Sequence, residues 1–88
     1  MFHVYVLYSS KFNKIYIGYS ADLKKRFLSH NQLAAKGYTV KYRPWVIAFT
    51  EQFESKSQAI KREKQLKSSR GRAEVWNKIK ELGLISVS

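Results

Sequence analysis

Glu63 is the residue whose position most needs a chemical explanation. On a helix opening near Ser55, the inward stripe runs through Ala59, Ile60, Leu66 and Lys67, and Glu63 falls inside it. An ionised carboxylate facing a core costs several kcal/mol unless it is paired or holds a metal. Taken alone, such a Glu is more often half of an ion pair than a metal ligand. Arg26 and His30 form a second constellation, four residues apart and so neighbours on one helix face. A guanidinium beside an imidazole suits phosphodiester cleavage, where one stabilises developing charge and the other moves a proton. The plainer alternative is a half-buried His beside a solvated Arg. Tyr5 and Tyr16 project from one face of an expected hairpin, where ordinary packing is the plainer reading for each. Gly18 interrupts a strand, which marks either the close approach of another group or a bulge.

These residues need elements to position them. Val4 to Tyr8 and Ile15 to Tyr19 are β-branched and aromatic, and the polar break between them predicts an antiparallel hairpin. Alternation places Tyr5 and Leu7 on one face, with Val4, Val6 and Tyr8 on the other. In the second strand Tyr16 and Gly18 share a face opposite Ile15 and Ile17. Ser20 and Asp22 are N-cap candidates for a helix from about Asp22 to Ala35, with Leu23, Phe27 and Ala34 on its apolar side and Gly37 ending it. Trp45 to Phe49 is a continuous apolar run and predicts a buried central strand. Ser55 and Gln58 match a capping box opening a helix to about Ser68. Ser69 to Arg72 reads as a basic loop, before a last helix from about Ala73 to Leu82 that lays Trp76 and Ile79 on the core and stops at Gly83. The expected fold is α+β: a three-stranded antiparallel sheet flanked by about three helices, in the order β-β-α-β-α-α, forming one domain over residues 1–88.

Charge indicates the partner. Seventeen Lys and Arg against six Asp and Glu give a net +11, a field that concentrates polyanions. Nucleic acid is the expected partner; composition leaves DNA against RNA open, although no signature of the usual RNA-binding modules is present. The absence of cysteine excludes disulfides, cysteine-ligated zinc and thiol catalysis. The apolar N-terminal run is short, carries His3 and leads into Ser9-Ser10-Lys11, so it reads as a strand and not a signal peptide. No run is long enough to span a bilayer, so a cytoplasmic protein without a membrane partner is expected. The basic footprint comprises Lys24, Lys25, Lys41, Arg43, Lys61, Arg62, Lys64, Lys67, Arg70 and Arg72, interleaved with Tyr42 and Trp45. That mixture suits phosphate contacts with some base stacking, although part of it will be ordinary solvated surface.

The segment from Val4 to Arg26 resembles the GIY-YIG nuclease signature. Tyr5 stands where that family has the tyrosine of Gly-Ile-Tyr, with His3 at its glycine, and Tyr16-Ile17-Gly18 matches Tyr-Ile-Gly. The two tyrosines are eleven residues apart, similar to the family spacing. Arg26 then falls on the family's catalytic arginine, His30 on the His or Tyr four residues later, and Glu63 on the metal-holding glutamate of a later helix. The family asparagine about a dozen residues beyond that glutamate falls at Val75, with Asn77 nearby. Lys41-Tyr42-Arg43-Pro44-Trp45 and Ala59-Ile60-Lys61-Arg62-Glu63 look like the small stand-alone bacterial group related to the N-terminal domain of the excinuclease subunit UvrC.

The resemblance implies an endonuclease of DNA repair or processing, dependent on magnesium or manganese. Glu63 would hold the metal, Tyr5, Tyr16 and His30 would position or deprotonate a water, Arg26 would neutralise the phosphate, and Gly18 would admit the backbone. Targeting could come from a separate protein partner. Two other classes compete: a non-catalytic nucleic-acid-binding module on the same scaffold, and an adaptor docking a protein through aromatic surface. Salt separates the last from the others, because phosphate contacts weaken steeply as salt rises.

Overall fold

The computed structural model describes residues 1–33 and 35–85. Strands β1 (Phe2–Ser9) and β2 (Lys14–Ser20) form the expected hairpin, pairing antiparallel from Ser9 with Lys14 to His3 with Ser20. Asn13 closes its turn at φ +54°, a left-handed conformation asparagine tolerates, and its Oδ1 accepts the Tyr8 hydroxyl at 3.1 Å. Helix α1 (Leu23–Leu28) follows, capped by Asp22, whose carboxylate accepts the Lys25 N–H at 3.1 Å. The chain then widens into a π-helical turn (Ser29–Leu33) and reaches a short helix α2 (Tyr38–Lys41), N-capped by Gly37. Strand β3 (Val46–Phe53) pairs antiparallel with β1. Helices α3 (Lys56–Lys67) and α4 (Ser69–Glu81) complete the chain, and Gly83 turns it at φ +75°.

The α+β architecture and the three-stranded antiparallel sheet are as expected, but the strand order is β2-β1-β3. The apolar run after Pro44 is therefore an edge strand and not the central one. Trp45 lies before it, and Val46 and Ile47 are exposed at 47% and 39%. The hairpin's first strand takes the centre, buried from Val4 to Ser9. The helical region is also more divided than the spacing predicts. The segment expected as one helix to Ala35 divides into α1 and the π-helical turn, and α2 was not anticipated. Ala34 lies outside the described residues.

Alternation along β1 and β2 sorts the core as expected. On one face Val4, Val6, Tyr8, Ile15 and Ile17 pack with Ala59 and Leu66 of α3 and Val75 and Ile79 of α4, with Trp76 against them. On the other, Tyr5, Leu7 and Trp45 are buried beneath Leu23, Phe27, Tyr16 and Tyr42. The capping box is present, with the Ser55 hydroxyl accepting from the Gln58 N–H and the Gln58 side chain accepting from the Ser55 N–H.

The supposed basic loop at Ser69 to Arg72 is the first turn of α4. Ser68 ends one helix and caps the next: its N–H and hydroxyl both donate to the Gln65 carbonyl, and its Oγ accepts the Gly71 N–H at 3.1 Å. Gly71 is buried against α3, where an added β-carbon would collide with the Gln65 carbonyl and the Leu66 Cα. Tertiary contact here outweighs the weak helix propensity of Ser-Arg-Gly. Among the described residues no helix is long and apolar enough to cross a membrane.

Candidate active site

Side chains from the two faces of a sheet can meet past a free strand edge, and β2 supplies such an edge. There a cleft of about 350 Å³ is lined by Tyr5, Tyr16 and Gly18 from the hairpin, Arg26 from α1, and Lys56 and Glu63 from α3. Residues far apart in the chain thus reach one space from opposite layers.

Glu63 lies at the margin of the inward stripe of α3, its side chain only 15% exposed, and Lys67 one turn later approaches its carboxylate at 3.3 Å. It is thus both an ion-pair partner and a cleft carboxylate. Among the described residues no group of three or more His, Cys, Asp or Glu side chains gathers. The donor set still fits a hard divalent cation held loosely, because Glu63 offers carboxylate oxygens into a polar, open cleft with room for water and substrate oxygens.

The tyrosines sit behind and beside the carboxylate. Tyr5 is 1% exposed and its ring lies 6.3 Å from that of Tyr16, which is half-buried. Tyr5 pairs with Gly18 across the sheet, and a β-carbon on Gly18 would come 2.6 Å from the Tyr5 hydroxyl. The glycine therefore makes room for the Tyr5 ring, so the group whose close approach was anticipated is internal. Burial, followed by the neighbouring Tyr16, raises the Tyr5 pKa well above the phenol range, with a smaller push from Glu63 and an opposing pull from Arg26. Tyr5 remains a neutral phenol.

His30 packs against both tyrosines, 4.7 Å from the Tyr16 ring and 5.9 Å from that of Tyr5. Its Nε2 shares a 2.9 Å hydrogen bond with the Tyr5 hydroxyl, and its Nδ1 a 3.2 Å contact with the Thr39 hydroxyl. Burial, then Arg26 and Arg43, push the imidazole pKa below its ordinary value, so it is neutral near pH 7. In a neutral ring one nitrogen donates and the other accepts, so Thr39, His30 and Tyr5 form a one-way hydrogen-bond chain. The π-helical turn that carries His30 is latched from outside: Arg43 donates to the His30 carbonyl at 2.8 Å and to that of Ser29 at 3.1 Å. Asn31 accepts the Trp45 N–H at 2.8 Å, and the Trp45 indole donates to the Thr39 carbonyl at 2.7 Å.

The basic residues divide into several groups. Lys24 and Lys25 are exposed on α1 beside Arg26, Lys41 on α2, Lys61 and Lys64 on α3, and Arg70 on α4. Arg72 lines the next stretch of the β2 edge with Lys67. Arg43 braces the π-helical turn, and Arg62 is committed to Glu51 by a bidentate pair at 2.7 and 3.1 Å, with Glu74 at 3.2 Å. Trp45 is buried and offers no stacking surface. Val75 is in the core, and Asn77 is exposed. The sequence reading missed Thr39 and Asn31, which hold the histidine turn, and Lys56 in the cleft. Only the polar character of Thr39, between Gly37 and an aromatic run, hinted at a role.

A two-faced sheet thus brings paired tyrosines, a helix arginine and a second-layer glutamate to one strand edge. The match to the GIY-YIG catalytic domain extends over residues 1–80, and the chain belongs to that family, a family of endonucleases. It is similar to UPF0213 proteins: 33% identical over 84 residues to one from Staphylococcus saprophyticus, covering 96% of this chain and 94% of the relative. A UPF0213 protein of Halobacterium salinarum is 39% identical over 67 residues, 76% of this chain and 86% of that one. The solution NMR structure of a UPF0213 protein from Bacillus halodurans matches the fold with a TM-score of 0.52 and 29% identity, covering 88% of this chain and 84% of its own.

Proposed function

We propose that the chain is a divalent-metal-dependent endonuclease hydrolysing phosphodiester bonds in DNA, in repair or processing. The reading is carried by the convergence of Glu63, Arg26, Tyr5 and Tyr16 on one cleft at the β2 edge. Glu63 would hold magnesium or manganese, with water and substrate oxygens completing the shell, and the bound ion supplies Lewis-acid polarisation of a phosphate oxygen. Arg26 binds the phosphate and balances charge as it builds. Tyr16, half-buried at the cleft, orients the attacking water through its hydroxyl. Tyr5 is too buried to act as a phenolate and instead accepts a proton while passing its own to His30 Nε2. Thr39 keeps Nε2 open by accepting from Nδ1–H. The net charge of +11 gathers the polyanion.

The second reading is a non-catalytic nucleic-acid-binding module, and it draws on Lys67 already neutralising Glu63 at 3.3 Å. Incubation with supercoiled plasmid and with branched DNA in magnesium or manganese, beside chelator and Glu63→Gln, separates the two. Nicking that both treatments abolish is the expected outcome. Salt-sensitive binding without nicking by either protein would favour the binding module.

A further inference from the structure

The groove along the β2 edge does not end at Glu63. Tyr16 lines both the cleft and an adjoining recess of about 440 Å³, bounded also by Tyr38, Lys67 and Arg72. The recess opens onto a run of rings in contact. Tyr38 lies 6.3 Å from Tyr16 and 4.8 Å from Tyr42, and Tyr42 lies 5.5 Å from Phe12 in the hairpin turn. Tyr38 and Phe12 are 46% and 40% exposed. Cations accompany the rings: Lys14 Nζ stands 5.5 Å from the centre of Tyr42, and Arg72 is close enough to the Tyr38 hydroxyl to counter the rise in its pKa caused by burial and by Tyr42.

Exposed aromatics rimmed by positive charge mark an interaction site. A duplex keeps its base faces stacked on one another and offers mainly phosphates, whereas an unpaired strand offers both phosphates and π-faces. An acidic peptide would satisfy the cations but leave four rings without flat partners. We infer that this run seats an unpaired strand leading into the Glu63 cleft, so that the substrate carries a single-stranded arm beside the scissile bond. The seating stands on the rings and cations alone; its link to cleavage rests on the nuclease reading.

The test is a titration of the full chain, in chelator, against a labelled oligothymidylate and a blunt duplex of equal length. The expected result is tighter binding of the strand, weakened roughly tenfold by Tyr38→Ala, as loss of one stacking ring implies. Tyr38→Phe should retain it, and Phe12→Ala should lose less in the same direction. Equal or better duplex binding, a strand preference unchanged by Tyr38→Ala, equal loss in Tyr38→Phe, or competition by polyglutamate as effective as by oligothymidylate would overturn the inference. No turnover is needed, so failure to cut both plasmid and branched DNA would sink the nuclease reading and leave this result standing, and the reverse also holds.

Discussion

The two faces of the sheet are built from different chemistry. Beneath α3 and α4 the buried side chains are almost wholly aliphatic, from Val4 and Val6 to Leu66, Val75 and Ile79. Beneath α1, the π-helical turn and α2 the core cluster is Tyr5, Leu7 and Trp45, and its two aromatics are tied by hydrogen bonds through His30, Thr39 and Asn31. Aliphatic packing gives stability without direction, whereas a hydrogen-bonded aromatic layer fixes the orientation of each ring. The comparison teaches a division of labour: one face holds the domain together, and the other aims its tyrosines. Glu63 stands on a helix of the first face and lines the cleft together with Tyr5, Tyr16 and Arg26 of the second.

Substitutions can break that division or sharpen it. Leu66→Ala should produce the largest loss, about 2–5 kcal/mol of stability by denaturant unfolding, because it empties the aliphatic face. Cleavage or binding per folded molecule should change little. Gly71→Ala should cost about 1–3 kcal/mol by forcing α4 off α3, measured in the same way. Gly18→Ala is its counterpart on the other face: the methyl meets the far end of the Tyr5 side chain, so the ring swings and activity falls more than stability. A larger stability loss for Gly18→Ala than for Gly71→Ala would undo the comparison. Thr39→Val should cost about 0.5–1.5 kcal/mol of stability, while its effect on the pH profile of cleavage should be greater.

The smallest effect concerns acid. The His30 pKa lies below its ordinary 6.5, so as pH falls below 6.5 the unfolded chain takes up the proton first and stability declines. Above that pH the contribution is fully present. Unfolding midpoints across this range should show the decline, and His30→Gln should flatten it.

Much of this layout was legible in the residues. Strict alternation over Val4 to Tyr8 assigned each side chain to its face, and the Ser55 capping box fixed where α3 begins and hence where Glu63 points. Strand order was not legible, because both β1 and the run after Pro44 are apolar and no local pattern says which gains a neighbour on each side. The first turn of α4 looked like a loop since Gly71 is a poor helix former, and only its contact with Gln65 and Leu66 explains it. The Arg62 pairs were hidden for the same reason: Glu51 and Glu74 are distant in sequence, and nothing local separates a braced arginine from a solvated one. The grouping of Tyr5, Tyr16, Arg26, His30 and Glu63 was anticipated as residues, whereas Thr39 was not, being a supporting group whose partner lies nine residues away.

The single-residue joint at Ser68 has an architectural consequence. With no spare residues between α3 and α4, and Gly71 seated on the preceding turn, the two helices form a bracket of fixed angle. Glu63 stands on α3 one turn before the joint, so the same helix that is clasped by α4 also carries the carboxylate to the β2 edge. Extra residues inserted at the joint would unseat Gly71 from Gln65 and Leu66 and open the bracket. Chains built on this plan should therefore tolerate no change of length at the joint.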